Sequence, residues 1–262
     1  MSIIRKIAAS FTMYSKIPVP FIRFEDKDHE DIVAFLPLTG LVIAVIMYGV
    51  RYLAAKLSFP ETVTVCSLIL VPLIITGGFH LDGFLDTADA LASYRSVEEK
   101  RRILKDPHIG SFAVTDLVIC GLFTLVGLGL ITHLETLQGL KLYPVVCVVF
   151  IISRCGAGLT SVCIKKAKDD GMLVKEAKSA GLPVKIFLFI QLIAACAYVA
   201  YTDMWSAITL IGAGIFFTLI YKRMVLKNFG GVSGDTAGYY VTVSEVFAIC
   251  VLACLYTLRW LT

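Results

Sequence analysis

The chain has 262 residues, of which 58% are hydrophobic and only 17% are charged, and its mean hydropathy is +0.83. Soluble domains typically contain about 45–50% apolar and about 25% charged residues, so the composition argues against a soluble enzyme, a disordered chain or a secreted disulfide scaffold. The net charge of +4 is too small and too dispersed for a nucleic-acid-binding protein. We therefore expect an all-α, polytopic membrane protein with one membrane-embedded domain over residues 1–262.

The N-terminal arm, residues 1–31, predicts an amphipathic segment and not a membrane span. Apolar residues from Ile3 to Phe11 recur at helical spacing, but Lys6 and Lys16 interrupt any continuous apolar run. This pattern is typical of a helix that lies at a membrane interface.

The apolar stretches that follow predict seven transmembrane helices of about 17–25 residues each. Most of the 24 Lys and Arg residues lie in the arm and in every second connection. Positive residues mark the cytoplasmic side, so we expect a multi-pass protein of the cytoplasmic (cell) membrane whose N-terminus is cytoplasmic. The predicted spans cover about 32–56, 62–79, 111–133, 142–164, 184–202, 205–221 and 237–258.

The predicted cytoplasmic connection 80–110 begins with three aspartates. Asp82, Asp86 and Asp89 follow an i, i+4, i+7 spacing, which aligns them in one acidic stripe on a helix. Three carboxylates beside a membrane span repel one another and are costly to desolvate, and a divalent cation removes both costs. Carboxylate oxygens suit Mg²⁺, so the stripe predicts a Mg²⁺ site with His80 as a neighbouring candidate. The alternative is a stripe that only faces water.

The same connection continues with basic residues and a turn. Arg95 and the run 100–102 are most simply explained by the positive-inside rule and by contact with lipid headgroups, although they can also bind an anionic substrate. Asp106 lies just before the third span, where a turn near Gly110 can return it to the acidic stripe.

The last predicted cytoplasmic connection, 222–236, follows a lysine-rich connection after the fourth span and ends in a glycine-rich loop. Glycines let backbone N–H groups approach a ligand closely, which favours phosphate binding at the start of a helix. The loop is not a Walker A motif, because no Gly-Lys-Ser/Thr follows it. The candidate ligands in and around it are Lys227, Gly230, Gly231, Gly234, Asp235 and Thr236.

Two charged residues fall inside predicted spans. Glu245 lies in the seventh span, and an acid inside a membrane is by default a functional-site hypothesis. Arg154, in the fourth span, can pair with Glu245 or bind a phosphate through its two-pronged guanidinium. A structural ion pair between the two is the alternative.

The acidic stripe and the glycine-rich loop fall on the same predicted side of the membrane. Phosphoryl transfer needs carboxylates for Mg²⁺, amides and cations for phosphate oxygens, and a base near the attacking hydroxyl. The sequence therefore predicts one phosphate-handling active site on the cytoplasmic face.

The residues from His80 to Asp89 resemble the signature of the cobalamin synthase (adenosylcobinamide-GDP ribazoletransferase) family. Further blocks match that family in the same order over nearly the whole chain. They are residues 11–20, 35–40, 105–112, 153–154 and 230–238 together with 244–245.

This resemblance implies a Mg²⁺-dependent membrane enzyme that joins α-ribazole, or its 5′-phosphate, to adenosylcobinamide-GDP and releases GMP. It implies that the acidic stripe holds one or two Mg²⁺ ions and that Asp82, another stripe carboxylate or His80 accepts the proton of the ribazole hydroxyl. The glycine-rich loop with Asp235 would hold the guanylyl phosphate or complete the metal shell, and Arg154 would neutralise the departing GMP. The further substrate-binding candidates are Asp106, Lys227, Thr236 and Glu245. A homo-oligomer, or association with other cobalamin-assembly enzymes, is compatible with this activity.

Two other functions stay open from the residues alone. A CDP-alcohol phosphatidyltransferase also uses spaced aspartates at a membrane surface. Its pattern has Ala-Arg after the Asp-Gly pair, whereas here the first arginine after that pair is Arg95. A secondary transporter would use Arg154 and Glu245 in midspan, but the sequence shows no internal repeat.

Overall fold

The structure is a computed structural model that describes residues 3–19, 31–139, 141–167 and 181–261. Within these ranges the chain forms ten α-helices and one 3-10 turn, and its only extended pairing is an isolated bridge between Lys166 and Val232. The expectation of an all-α polytopic membrane protein is confirmed. The acidic part of the N-terminal arm (20–30) and most of the lysine-rich connection (168–180) lie outside the described residues.

The helices follow one another with short connections wherever both ends are described. A 3-10 turn (Ile32–Phe35) leads directly into the second helix. The helices are α1 Ile3–Tyr14, α2 Leu36–Lys56, α3 Glu61–Thr76, α4 Phe79–Ala92, α5 Val97–Ile103, α6 Ser111–Gln138, α7 Tyr143–Cys163, α8 Leu182–Thr202, α9 Met204–Phe229 and α10 Gly234–Leu261.

Six helices in the described ranges have the length and apolar composition of a membrane span: α2 with its 3-10 turn, α6, α7, α8, α9 and α10. The second predicted span differs from these. Its helix α3 ends at Thr76 after 16 residues, about 24 Å at 1.5 Å per residue, and α4 leaves it at 93°. Gly77 and Gly78 make this bend with φ of +60° and +80°, which residues with a Cβ rarely adopt. Because α4 leaves α3 at nearly a right angle, the two helices do not form one straight span.

Two of the predicted spans end before the helices that contain them do. α6 continues to Gln138, and α9 continues to Phe229, so the residues 222–229 that we expected in a connection are helical. Lys, Arg, Met and Leu are good helix formers, so a membrane helix continues past its apolar part until a stop signal. For α9 the stop is Gly230, which adopts a left-handed conformation with φ +71°.

Helix α7 forms the centre of the bundle, because most of its side chains are buried and it packs against α2, α8 and α10. Helices α6 and α8 present most of their large apolar side chains outward, as membrane helices do. At one end of the bundle, α4 packs across α10 and α6. This end carries the acidic stripe.

The N-terminal arm contains the amphipathic helix that its pattern predicts, and this helix packs on the protein. α1 buries Ala9 and Tyr14, and the ring of Tyr14 lies 5.8 Å from the ring of Phe79 and 6.2 Å from that of His80. The end of α1 therefore contacts the bend between α3 and α4.

Candidate active site

Helices α4 and α10 cross at two glycines. A Cβ at Gly83 would lie 2.8 Å from both the Cα and the backbone oxygen of Asp235, and a Cβ at Gly238 would lie 2.8 Å from the backbone oxygen of His80. Any larger side chain would push the helices apart, because the atoms it meets are backbone. The crossing therefore brings Asp235 directly against the helix that carries the acidic stripe.

Four carboxylates form an acidic cluster at this crossing: Asp82, Asp86 and Asp89 of the stripe, and Asp235. Partial burial, followed by the negative charges of Asp82, Asp235 and Asp89, raises the pKa of Asp86 to about 6. Within the described residues none of the four forms an ion pair, although the charge of Lys105 acts on Asp235. The cluster is thus a concentration of negative charge that the described part of the protein does not neutralise.

The segment before α6 returns to the acidic stripe as its turn residues predict. A Cβ at Gly110 would overlap the carboxylate of Asp89, so this glycine packs directly on that side chain. Asp106 does not join the cluster. It is exposed and accepts hydrogen bonds from the backbone N–H and ring of His108, at 3.0 and 2.7 Å, and these bonds lower the pKa of Asp106.

The donor chemistry of the acidic cluster suits a divalent cation, and the Mg²⁺ site stays a prediction. In the described ranges, no three Asp, Glu, His or Cys side chains converge closely enough to form a metal cage by themselves. Mg²⁺ needs no such cage, because it keeps several waters and is usually bound through one or two carboxylates plus substrate phosphates. Mutually repelling carboxylates are the donor chemistry that such an ion neutralises.

The first part of the glycine-rich loop, Gly230 to Val232, does not offer the phosphate cradle that its composition predicts. The N–H groups of Gly230 and Gly231 donate to Val225, and that of Val232 donates to Lys165 at 2.8 Å. A Cβ at Gly231 would lie 2.3 Å from the backbone oxygen of Lys165. These glycines therefore allow the loop to pack against the segment after α7, and their amides are occupied.

The residues that flank the loop have separate roles. The hydroxyl of Thr236 is fully buried and accepts the N–H of Ser233 at 2.8 Å, so it caps α10 and does not face a ligand, contrary to our expectation. Lys227 is exposed in the last turn of α9, where its charge complements the helix dipole. Gly234 begins α10, and a Cβ at this position would meet no other atom within 4 Å.

Arg154 and Glu245 form the structural ion pair that was the alternative to a phosphate-binding role. A guanidinium nitrogen of Arg154 donates to Glu245 and, at 2.9 Å, to the backbone oxygen of Phe150, and Ser153 donates to Glu245 at 2.8 Å. The Arg154 side chain is only 1% exposed. In this structure each of the two charges is paired with the other, and the expectation that Arg154 neutralises a departing GMP and that Glu245 binds substrate stays a prediction.

His80 is on the wrong side of α4 to serve the acidic stripe. Residues two positions apart on a helix differ in direction by about 200°, so His80 and Asp82 face opposite ways. The ring of His80 is buried against Tyr14 and lines a largely apolar cavity of about 160 Å³ together with Arg154. It therefore does not reach a hydroxyl bound at the stripe.

Two basic residues of α5 bind the end of α9, a role that the sequence did not indicate. A capping box of Ser96 and Glu99 starts this short helix. Lys100 then donates to the side chain of Asn228 at 2.7 Å, and Arg101 donates to the backbone oxygen of Phe229 at 2.8 Å. Arg101 thereby caps the end of α9, where backbone carbonyls lack helical partners. A positive run alone cannot distinguish this use from contact with lipids.

Comparison with known proteins identifies the family. A family model described as cobalamin-5-phosphate synthase (CobS) matches residues 6–253. The chain is 31% identical to the adenosylcobinamide-GDP ribazoletransferase of Lachnoclostridium phytofermentans over 91% of this chain and 89% of the relative. It is 30% identical to the protein of the same name from Clostridium perfringens strain SM101, over 95% of this chain and 97% of the relative. No solved structure matches the chain. The chain belongs to the cobalamin-5-phosphate synthase family.

Proposed function

We propose that this chain is an adenosylcobinamide-GDP ribazoletransferase, as its relatives are named. It transfers the cobinamide phosphate of adenosylcobinamide-GDP to α-ribazole or α-ribazole 5′-phosphate. The single observation that carries the mechanism is the acidic cluster at the crossing of α4 and α10. The family match favours this activity over a phosphatidyltransferase or a transporter.

The reaction forms one bond and breaks another at the same phosphorus. A ribazole hydroxyl oxygen bonds to the phosphorus on the cobinamide side, the bond from that phosphorus to the GMP oxygen breaks, and the hydroxyl proton is released. Positioning and charge stabilisation supply most of the catalysis of such a transfer. The bound Mg²⁺ would supply charge neutralisation at the phosphate oxygens.

The four carboxylates of the acidic cluster have two different roles in this proposal. Asp86, Asp89 and Asp235 are partly buried where helices meet, which fixes their positions for holding the cation. Asp82 is exposed in the first turn of α4, so it is the carboxylate that most readily reaches a hydroxyl in an open site. We assign to Asp82 the acceptance of the hydroxyl proton, in place of His80.

We further propose that the site lies on the cytoplasmic face of the cell membrane. Its support is the distribution of Lys and Arg residues along the sequence, which concentrate in the N-terminal arm and in every second connection, among them the connection that contains α4 and α5.

A transfer assay tests the proposed activity. Membranes that contain the protein are incubated with adenosylcobinamide-GDP and α-ribazole, with Mg²⁺ or with a chelator, and the corrinoid products are separated. We expect Mg²⁺-dependent product and a loss of at least about a hundredfold in Asp82→Asn, because general base catalysis contributes about 10²–10⁴-fold. Glu98→Gln is the matched control, because Glu98 is exposed on the neighbouring helix α5. No corrinoid product with Mg²⁺ present would overturn the proposed function.

A further inference from the structure

A second pocket lies beside the acidic cluster and shares Asp82 with it. It occupies about 410 Å³ between the end of α1 and the bend that joins α3 to α4. Its polar lining consists of Thr12, Ser15, Lys16, Thr76 and Asp82, with Gly77 and Gly78 at the bend. The pocket therefore has a basic residue from the N-terminal arm on one wall and an acidic residue of the stripe on another.

The side chain of Lys16 is exposed and lies along the bend. Its backbone N–H donates to the backbone oxygen of Ile75 at 2.7 Å, which attaches the arm to the last turn of α3. Its aliphatic stem lies across Gly77, since a Cβ at Gly77 would be 2.4 Å from both Cγ and Cε of Lys16. The glycine that allows the bend also leaves the space in which this lysine lies.

Neither charge of the pocket has an ion-pair partner in the described part of the chain. Within the described part of the chain, the ammonium of Lys16 and the carboxylate of Asp82 form no ion pair with each other or with another side chain. The hydroxyls of Thr12 and Ser15 already donate to the backbone oxygens of Ala8 and Phe11. The ammonium is therefore a donor that is available to a ligand.

The ligand that suits this pocket is an anion that also binds a divalent cation. Lysine binds phosphate oxygens as a point charge, and the Mg²⁺ that Asp86, Asp89 and Asp235 would hold beside the pocket shares its coordination with phosphate. An anion without a cation would be repelled by Asp82, whereas a phosphate group that shares this cation can bind Lys16 and leaves Asp82 free to accept the hydroxyl proton.

We propose that Lys16 binds a phosphate oxygen of a phosphorylated substrate, so that the N-terminal arm forms one wall of the active site. This inference rests on the proposed function. The phosphate belongs either to the diphosphate of adenosylcobinamide-GDP or to α-ribazole 5′-phosphate, and the experiment below distinguishes the two sources.

The test uses the full-length protein in lipid nanodiscs and variants that change only the charge. Lys16→Met removes the ammonium but keeps an unbranched stem over Gly77, and Lys16→Arg keeps the positive charge. Lys222→Met is the matched control, because Lys222 is an exposed lysine of α9 outside the pocket. Binding of the coloured corrinoid adenosylcobinamide-GDP is measured by filtration without any acceptor, and the KM of each substrate is measured in the transfer assay.

We expect Lys16→Met to weaken binding of one phosphorylated substrate by about tenfold or more, as for the loss of a hydrogen bond to a charged group. Lys16→Arg retains most of the affinity, and Lys222→Met binds as the unaltered protein does. Weaker binding of adenosylcobinamide-GDP assigns the diphosphate to Lys16. A raised KM for α-ribazole 5′-phosphate alone, with that of α-ribazole unchanged, assigns the acceptor phosphate.

The inference is overturned if Lys16→Met binds adenosylcobinamide-GDP normally and leaves the KM of both phosphorylated substrates unchanged. It is also overturned if α-ribazole, which has no phosphate, is affected as strongly as they are. Thermal unfolding is followed for each variant, and Lys16→Gln replaces Lys16→Met if the latter is unfolded. The binding measurement needs no turnover, so an inactive but substrate-binding protein would contradict the proposed function and not the role of Lys16.

Discussion

Substituting Gly83 by alanine should damage the active site through the backbone of Asp235. The added Cβ would lie 2.8 Å from two backbone atoms of Asp235, whereas ordinary contacts begin at 3.4 Å. Helices α4 and α10 must therefore separate by about 0.6 Å at the point where they hold the acidic cluster. Neither atom is the end of a flexible side chain, so no local rearrangement relieves the contact.

The expected magnitudes follow from this displacement. Overpacking in a close-packed interior costs about 1–3 kcal/mol, and the better helix propensity of alanine offsets about 0.5–1 kcal/mol of that cost. A displacement of about 1 Å in an active site can cost about a hundredfold in rate. We therefore expect Gly83→Ala to lose about tenfold or more in kcat/KM while its free energy of unfolding falls by no more than about 2 kcal/mol.

Gly129→Ala is the matched control, because Gly129 also lies within a helix but has no atom of another residue near its Cβ position. Transfer activity and thermal unfolding are measured for both variants in the same detergent. The control should unfold at the same or a slightly higher temperature and keep full activity. Full activity in Gly83→Ala would refute the reasoning that the close helix crossing positions the acidic cluster.

Three further predictions concern charges. Glu245→Gln should lower the free energy of unfolding by about 3–5 kcal/mol, because it leaves the buried Arg154 without its charged partner. The double variant Arg154→Met/Glu245→Leu should lose less, because it leaves no buried charge unpaired. Equal losses for the two variants in a denaturant titration would contradict this. Asp86→Asn should raise the melting temperature of the metal-free protein at pH 8, because the raised pKa of Asp86 means that its ionised form destabilises the fold. This gain in melting temperature should vanish as the pH falls from 6 towards 4, where Asp86 becomes protonated. A gain that does not change with pH would contradict the prediction. Mg²⁺ affinity should fall as the pH drops below about 6, because binding requires ionised Asp86, and a calorimetric titration that shows no change between pH 7.5 and 5.5 would exclude this coupling.

The sequence predicts the fold class and the family well, because membrane helices and the aspartate signature are local patterns. The apolar stretches predict six full-length membrane helices to within a few residues at most ends, and α9 is the main exception. The spacing of Asp82, Asp86 and Asp89 predicts a single face of α4, since helical periodicity depends on nothing outside the segment.

The roles that depend on partners distant in sequence could not be predicted. The amide of Val232 is occupied because the loop meets the segment at Lys165, and no local pattern indicates this contact. Likewise, the sequence is the same whether Arg154 pairs with Glu245 or with a phosphate. His80 is a different case: its helical phase relative to Asp82 already argues against a shared face.

The central claim is that the acidic cluster binds a divalent cation. Mn²⁺ can replace Mg²⁺ at oxygen ligands, and electron paramagnetic resonance measures the free ion directly. We predict that the purified protein in nanodiscs binds Mn²⁺, that Mg²⁺ displaces it, and that Asp86→Asn and Asp235→Asn each weaken binding by about tenfold or more while Glu98→Gln does not. Unchanged Mn²⁺ binding in both aspartate variants would contradict the claim.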